Sequence, residues 1–168
     1  SMPVYAAQEQ EENQAENRYA VTLNEEDGFY VVQNPNGGAT LSYGVDNGIE
    51  LLEEEEDGYV YAFKDLSKDG KLDIYEDWRR PVEERVEDLA NKLSIFQMAG
   101  LKLNGYISPP ADEEGTPQSY HIAGITNNFI RFINYGTQSH YETSVKFNNN
   151  LQRLSEALDW GIPINLCS

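Results

Sequence analysis

Twelve residues, Asp65-Leu-Ser-Lys-Asp-Gly-Lys-Leu-Asp-Ile-Tyr-Glu76, restrict what this chain can fold into more than any other stretch. Oxygen-bearing side chains stand at loop positions 1, 3, 5, 9 and 12 (Asp65, Ser67, Asp69, Asp73, Glu76), with Gly70 at position 6. A backbone wrapping a hard divalent cation needs that spacing. It must deliver about six to eight oxygens, turn sharply at its sixth residue and close the ring with a bidentate carboxylate. Lys71, at position 7, would give its main-chain carbonyl and turn its ammonium outward. The residues therefore predict a Ca²⁺ site built from Asp65, Ser67, Asp69, Lys71, Asp73 and Glu76. A sensor of this kind has a helix on each side and a second loop to pair with. Here Gly58-Tyr-Val-Tyr-Ala-Phe63 alternates like a strand before the loop, and the spacing does not recur. The expected role is a structural clip joining strand to helix, and a dockerin-like module, which repeats its loop, is disfavoured.

Upstream, apolar and aromatic runs at 19–23, 29–33, 39–43, 49–52 and 59–63 are separated by Asp27-Gly28, Pro35-Asn-Gly-Gly38, Asn47-Gly48 and Asp57-Gly58. Alternating runs between such pairs predict one small antiparallel meander over 18–63, its aromatic residues serving as core. The acidic run 53–57 reads as a solvated strand end.

Downstream the period changes. Pro81 suits a first helical turn, and Val82, Val86, Leu89, Ala90 and Leu93 recur on one helical face. Residues 101–103 read as a short strand, and 104–120, rich in proline and glycine, as a long loop near a site or interface. His121, a lone histidine without a partner motif, reads as structural. The run 122–133 contains an apolar strand core. Tyr141, Val145, Phe147, Leu151, Leu154 and Leu158 then repeat as a helix reaching Trp160, Gly161 stops it, and 162–166 begins another buried strand. Strand, helix, strand is a βαβ unit with parallel strands. The expected class is α/β: a small antiparallel β leader, then the first βα units of a TIM-like barrel, incomplete as a barrel. The expected divisions are a leader at 1–17, the β-rich segment 18–63, the calcium joint 64–80 and the barrel start 81–168.

The formal net charge is −17, with 29 acidic and 12 basic residues, and no stretch gathers the basic ones into a patch. Such a field repels nucleic acid and anionic membrane. No run of about 18 apolar residues could span a bilayer. Ser1-Met2 reads as a tag remnant, and Val4-Tyr-Ala6 has the small, any, small pattern of a signal-peptidase site. The expected location is secreted or on a bacterial cell surface, where calcium is plentiful. The single Cys167 has no internal partner for a disulfide.

Two stretches resemble one family. Phe63-Lys-Asp-Leu-Ser-Lys-Asp-Gly-Lys-Leu-Asp-Ile-Tyr-Glu-Asp-Trp-Arg-Arg-Pro-Val-Glu-Glu-Arg-Val86, continuing to Leu89, resembles the opening of the catalytic barrel in bacterial members of glycoside hydrolase family 3, the β-glucosidase family. Asn149-Asn-Leu-Gln-Arg-Leu-Ser-Glu-Ala-Leu-Asp-Trp-Gly-Ile-Pro163 resembles a later helix and strand of that barrel, and Ala99-Gly-Leu101 and 125–133 fall where its first strands lie. Ser94-Ile-Phe-Gln-Met98 departs from the Thr-Leu-Glu-Glu-Lys type usual there. The resemblance implies a TIM-like barrel hydrolysing β-glycosides with retention, through an aspartate nucleophile and a glutamate acid/base. Both belong to later parts of the family fold, and its early substrate-binding aspartate would follow Ser168. The expectation is an N-terminal portion, inactive alone, whose β-glycoside substrate is met only in an enzyme completed by a complementary C-terminal polypeptide. The alternative is a noncatalytic, calcium-stabilised binding or assembly module derived from the same barrel and covering its open strands by self-association.

Overall fold

A computed structural model describes residues 17–136 and 140–167. The tag remnant, the signal-peptidase pattern and the expected leader as far as Glu16 lie outside the described residues. From Asn17 the chain is tied down: the Val60 amide donates to Asn17 O at 2.8 Å, and Tyr19 N donates to Val60 O at 3.2 Å.

Strands β1 (Ala20–Asn24), β2 (Phe29–Gln33) and β3 (Thr40–Gly44) form an antiparallel sheet in register Val21↔Val32 and Val31↔Ser42. Strands β4 (Leu51–Glu56) and β5 (Tyr59–Lys64) form a separate antiparallel hairpin, turned by Asp57 and Gly58, both at positive φ. The expected single meander is therefore two sheets. The physical reason lies at Asn47, whose buried side chain reaches Glu156 at 2.5 Å and pulls the chain out of the first sheet after β3. The Asn34 amide joins the two sheets as a strand would: its Oδ1 accepts from Ala62 N at 2.7 Å, and its Nδ2 donates to Ala62 O at 3.2 Å. Tyr61 and Phe63 are buried against Trp78, Phe63 stacked on it at 5.4 Å, so these aromatics are core, as their small sheet requires.

Helix α1 (Val82–Lys92) follows Pro81, with Glu83 and Glu84 at its positive end and Lys92 at its negative end. Its helical spacing is present, yet it buries no residue, and Val82 and Val86 face outward. The expected strand at 101–103 is instead the end of helix α2 (Ile95–Leu101). Ser94 and Gln97 explain the difference: they form a capping box that starts a helix in the segment that departs from the family's usual type. Strand β6 (Asn104–Ile107) then begins inside the expected long loop, which narrows to 108–118. Helix α3 (Ser119–Asn127), capped by Gln118 and His121, occupies the first half of the expected strand region, and β7 is Phe132–Tyr135. Helix α4 (Tyr141–Glu156) ends before Trp160, and a single 3₁₀ turn (Asp159–Gly161) leads to β8 (Asn165–Cys167).

Strands β6, β7 and β8 are parallel and adjacent in that order, so the chain contains two successive βαβ units. The fold is mixed α/β, a small antiparallel leader followed by a parallel sheet. One face of that sheet packs Ile107, Ile133 and Tyr135 against Ile125 of α3 and Phe147 and Leu151 of α4. The other face, carrying Asn104, Tyr106, Phe132, Asn134, Asn165 and Cys167, is exposed.

The two halves meet at Glu156. Its carboxylate accepts from Lys64 Nζ at 2.6 Å, Asn47 Nδ2 at 2.5 Å and Gly44 N at 3.0 Å. Gly44 is required for this approach, since a Cβ there would lie 2.7 Å from Asn47 Nδ2 and 2.9 Å from Arg153 Cγ. Glu156→Ala would leave a half-buried ammonium and two donors unmatched. We expect it to lower unfolding free energy by about 1–3 kcal/mol in urea titrations.

Candidate functional site

The loop foreseen as a cation clip begins directly after β5, where Asp65 N donates to Glu50 O at 2.9 Å and anchors the first residue. Asp65 and Glu76 are almost wholly buried, 3% and 4% exposed, and neither forms a salt bridge among the described residues. Asp65 Oδ1 accepts from Asp69 N at 3.2 Å and Ser67 Oγ at 3.3 Å, and Oδ2 accepts from Gly70 N at 2.8 Å. Gly70 has φ +75°, the left-handed backbone that the sixth position demands. Glu76 closes the loop onto itself, accepting from Ser67 N at 2.7 Å and Asp73 N at 2.9 Å. Burial pushes the Glu76 carboxyl above its ordinary range, while those two amides pull the other way.

The structure thus joins the Asp65 and Glu76 carboxylates and Ser67 in one hydrogen-bonded ring, to which Asp69 gives only its main-chain amide; the Asp69 carboxylate is exposed and accepts from Lys71 N at 2.9 Å. Asp73 instead pairs with Lys92 of α1 at 3.0 Å, and Lys71 is exposed at the rim. Among the described residues no three His, Cys, Asp or Glu side chains are placed together as a metal cluster. The donor chemistry nevertheless fits a hard dication in kind: every liganding position but Lys71, which has only its main-chain carbonyl, carries a side-chain oxygen, and the Asp65 and Glu76 carboxylates sit buried without a countercharge. Beside the loop, the buried Tyr75 hydroxyl lies near the Glu76 carboxylate without a hydrogen bond, and burial, reinforced by that charge, drives its pKa up.

Two buried ionisable groups sit in the parallel half. Arg131, 1% exposed, donates to the carbonyls of Ile162 at 3.0 Å, Ile125 at 2.9 Å and Ile130 at 3.0 Å, and lies over the Phe129 ring. It ties α3, β7 and the approach to β8 together, and burial without a carboxylate lowers its pKa to about 10. Sequence reading passed over it; its only signal is a charge inside the apolar run Phe129-Ile-Arg-Phe-Ile133.

His121, 2% exposed, accepts the Gln118 amide on Nδ1 at 3.0 Å and packs on Phe147. Burial holds its pKa below the ordinary value. The unfolded state therefore binds the extra proton first. The stability from neutral His121 is fully present above about pH 6.5 and is lost as pH falls below it. Urea midpoints measured at about pH 7.5 and about pH 5 should differ in the wild type, and the difference should shrink in His121→Leu.

The parallel strands end, at their carboxyl side, on Ile107, Tyr135 and Cys167. Sheets of this kind bind their ligands beyond those ends. Across the exposed face the register aligns Asn104, Phe132 and Asn165 in one row, and Tyr106, Asn134 and Cys167 in the next.

No family model matches the chain. Over 110 residues it is 33% identical to a periplasmic beta-glucosidase/beta-xylosidase of Dickeya chrysanthemi. The chain is a relative of that β-glucosidase. The match spans 62% of this chain but only 17% of the Dickeya protein. The similarity bears out the resemblance to the β-glucosidase family. No helix among the described residues is long and apolar enough to cross a membrane.

Proposed function

We propose that this chain is the front portion of a family-3-like retaining β-glycosidase: a β leader, a calcium clip and the first βα units of a barrel. The observation that carries the reading is the 33% identity to a β-glucosidase/β-xylosidase. Two consecutive parallel βαβ units with an uncovered face support it, since one face of a barrel strand meets helices and the other meets the barrel interior. The substrate class would be β-linked glucosides or xylosides, and the location extracytoplasmic in a bacterium, both taken from the relative's description.

Retaining hydrolysis needs two carboxylates about 5–5.5 Å apart, one attacking the anomeric carbon and one protonating the leaving oxygen. The three strands described here end on apolar, aromatic and sulfur side chains. Of the acids following β6, Asp112 accepts within a turn, Glu114 pairs with Lys146, and Glu113 is exposed on the surface. These residues would contribute scaffold and part of the site wall, with the reacting carboxylates coming from later strands.

The test is turnover of a chromogenic β-glucoside. The purified 168-residue chain should show none above background. A complementary polypeptide supplying about five further barrel strands should restore it. Cleavage by the purified chain alone would sink the proposal. A native mass showing a stable homo-oligomer that gains no activity with the complement would favour the noncatalytic module instead.

A further inference from the structure

Six arginines serve a chain of net charge −17, and three of them, Arg18, Arg79 and Arg80, are paired with carboxylates. Arg85, Arg131 and Arg153 have no acidic partner among the described residues. Arg131 is absorbed by the core. The other two, 68 residues apart in sequence, line one cleft of about 460 Å³ between the leader sheet and α4.

Their hydrogen bonds leave much of each guanidinium unused. Arg85 donates from Nε to Tyr75 O at 3.0 Å, and Arg153 donates from one terminal nitrogen to the carbonyls of Asp27 and Gly28. The one carboxylate in the lining, Glu156, is offset by Lys64 at 2.6 Å, so the cleft carries two uncompensated positive charges. Phe29 and Tyr43 give it ring surfaces, and Ser42 and Asn149 add a hydroxyl and an amide. A volume of this size is that of a small-molecule site, and an arginine fork matches carboxylate and phosphate oxygens in pairs.

We propose that the cleft between the leader sheet and α4 binds a small organic anion of monosaccharide size, held through its carboxylate or phosphate by Arg85 and Arg153. The remaining polar groups suit a polyol, and the ring surfaces suit its C–H faces. The site is lined by the leader, Arg85 of α1 and α4, away from the carboxyl ends of the parallel strands, so its occupancy is tested without glycosidase turnover.

Calorimetric titration of the full chain with glucuronate, glucose 6-phosphate and neutral glucose tests this. At least one anion should bind saturably, with a dissociation constant of about 1 mM or tighter, and more weakly at high salt; glucose should not bind. The tighter anion identifies the head group. Arg85→Gln should weaken binding about tenfold or more, while the urea midpoint falls by no more than the loss of its one hydrogen bond to Tyr75 O accounts for. Arg153→Gln should weaken it similarly, and because that side chain also holds the leader, Arg85→Gln is the deciding variant. Failure of both anions to saturate, equal binding of glucose, or wild-type affinity in Arg85→Gln would overturn the proposal.

Discussion

Phe147→Ala is expected to destabilise the protein by about 3–5 kcal/mol, the largest effect of any single truncation considered. The ring is fully buried and sits where three elements converge: it lies 5.3 Å from His121 of α3 and 5.4 Å from Tyr135 of β7. The loop after β6 runs close by its backbone, for a Cβ at Gly115, φ +71°, would clash with Phe147 N. Neighbours fixed on this many sides cannot collapse into the space the ring leaves, so the cost is the lost transfer energy plus a cavity. For a chain of this length the loss should lower the melting midpoint by about 10 °C. Val145→Ala, on the exposed side of the same helix, is the control and should change stability by less than about 0.5 kcal/mol. A change of similar size in both variants would mean that α4 does not carry the core.

Much of this architecture was legible from residues alone, and the exceptions have physical causes. Alternating apolar runs punctuated by Asp-Gly and Asn-Gly placed all five leader strands, because hairpin turns need those backbones. They could not say that the strands divide into two sheets, which depends on Asn34 bonding to Ala62 and Asn47 bonding to Glu156, contacts 28 and 109 residues apart. Helix α4 was visible because its apolar residues recur over four turns. Helices α2 and α3 are two or three turns long, too short for periodicity to speak. Ser94 and Gln97 carried the local signal for the first of them, a capping box that the family comparison masked.

The same contrast holds at the sites. The spacing of Asp65 to Glu76 points to a Ca²⁺ loop, and in the structure Glu76 reaches back to accept from Ser67 N. Which carboxylates turn inward was not legible. Asp73 is drawn to Lys92 of the next helix, and the Asp69 carboxylate stays exposed, accepting from Lys71 N, so only Asp65 and Glu76 are buried. The pairing of Arg85 with Arg153 in one cleft was invisible for the same reason.

Adding Ca²⁺ is expected to raise the unfolding midpoint, and chelation with EGTA to return it. A ligand that binds only the native state stabilises by mass action, about 2.7 kcal/mol at a hundredfold excess over its dissociation constant, or about 5–10 °C for a chain of this size. Mg²⁺ should shift it much less, because it demands a tighter octahedral shell and surrenders its water reluctantly. Glu76→Gln should abolish the calcium-dependent part. It removes a buried negative charge and turns one of the two oxygens that accept from Ser67 N and Asp73 N into an NH2 group, which can only donate. Lys71→Ala should leave the shift intact, because position 7 offers only its main-chain carbonyl and the side chain points into solvent. That pair of variants separates a cation held inside the ring from one condensed on an acidic surface. In the second case Lys71→Ala, which makes the surface more negative, would strengthen the response and Glu76→Gln would barely change it. No shift at millimolar Ca²⁺ would reduce the loop to a hydrogen-bonded turn between β5 and α1.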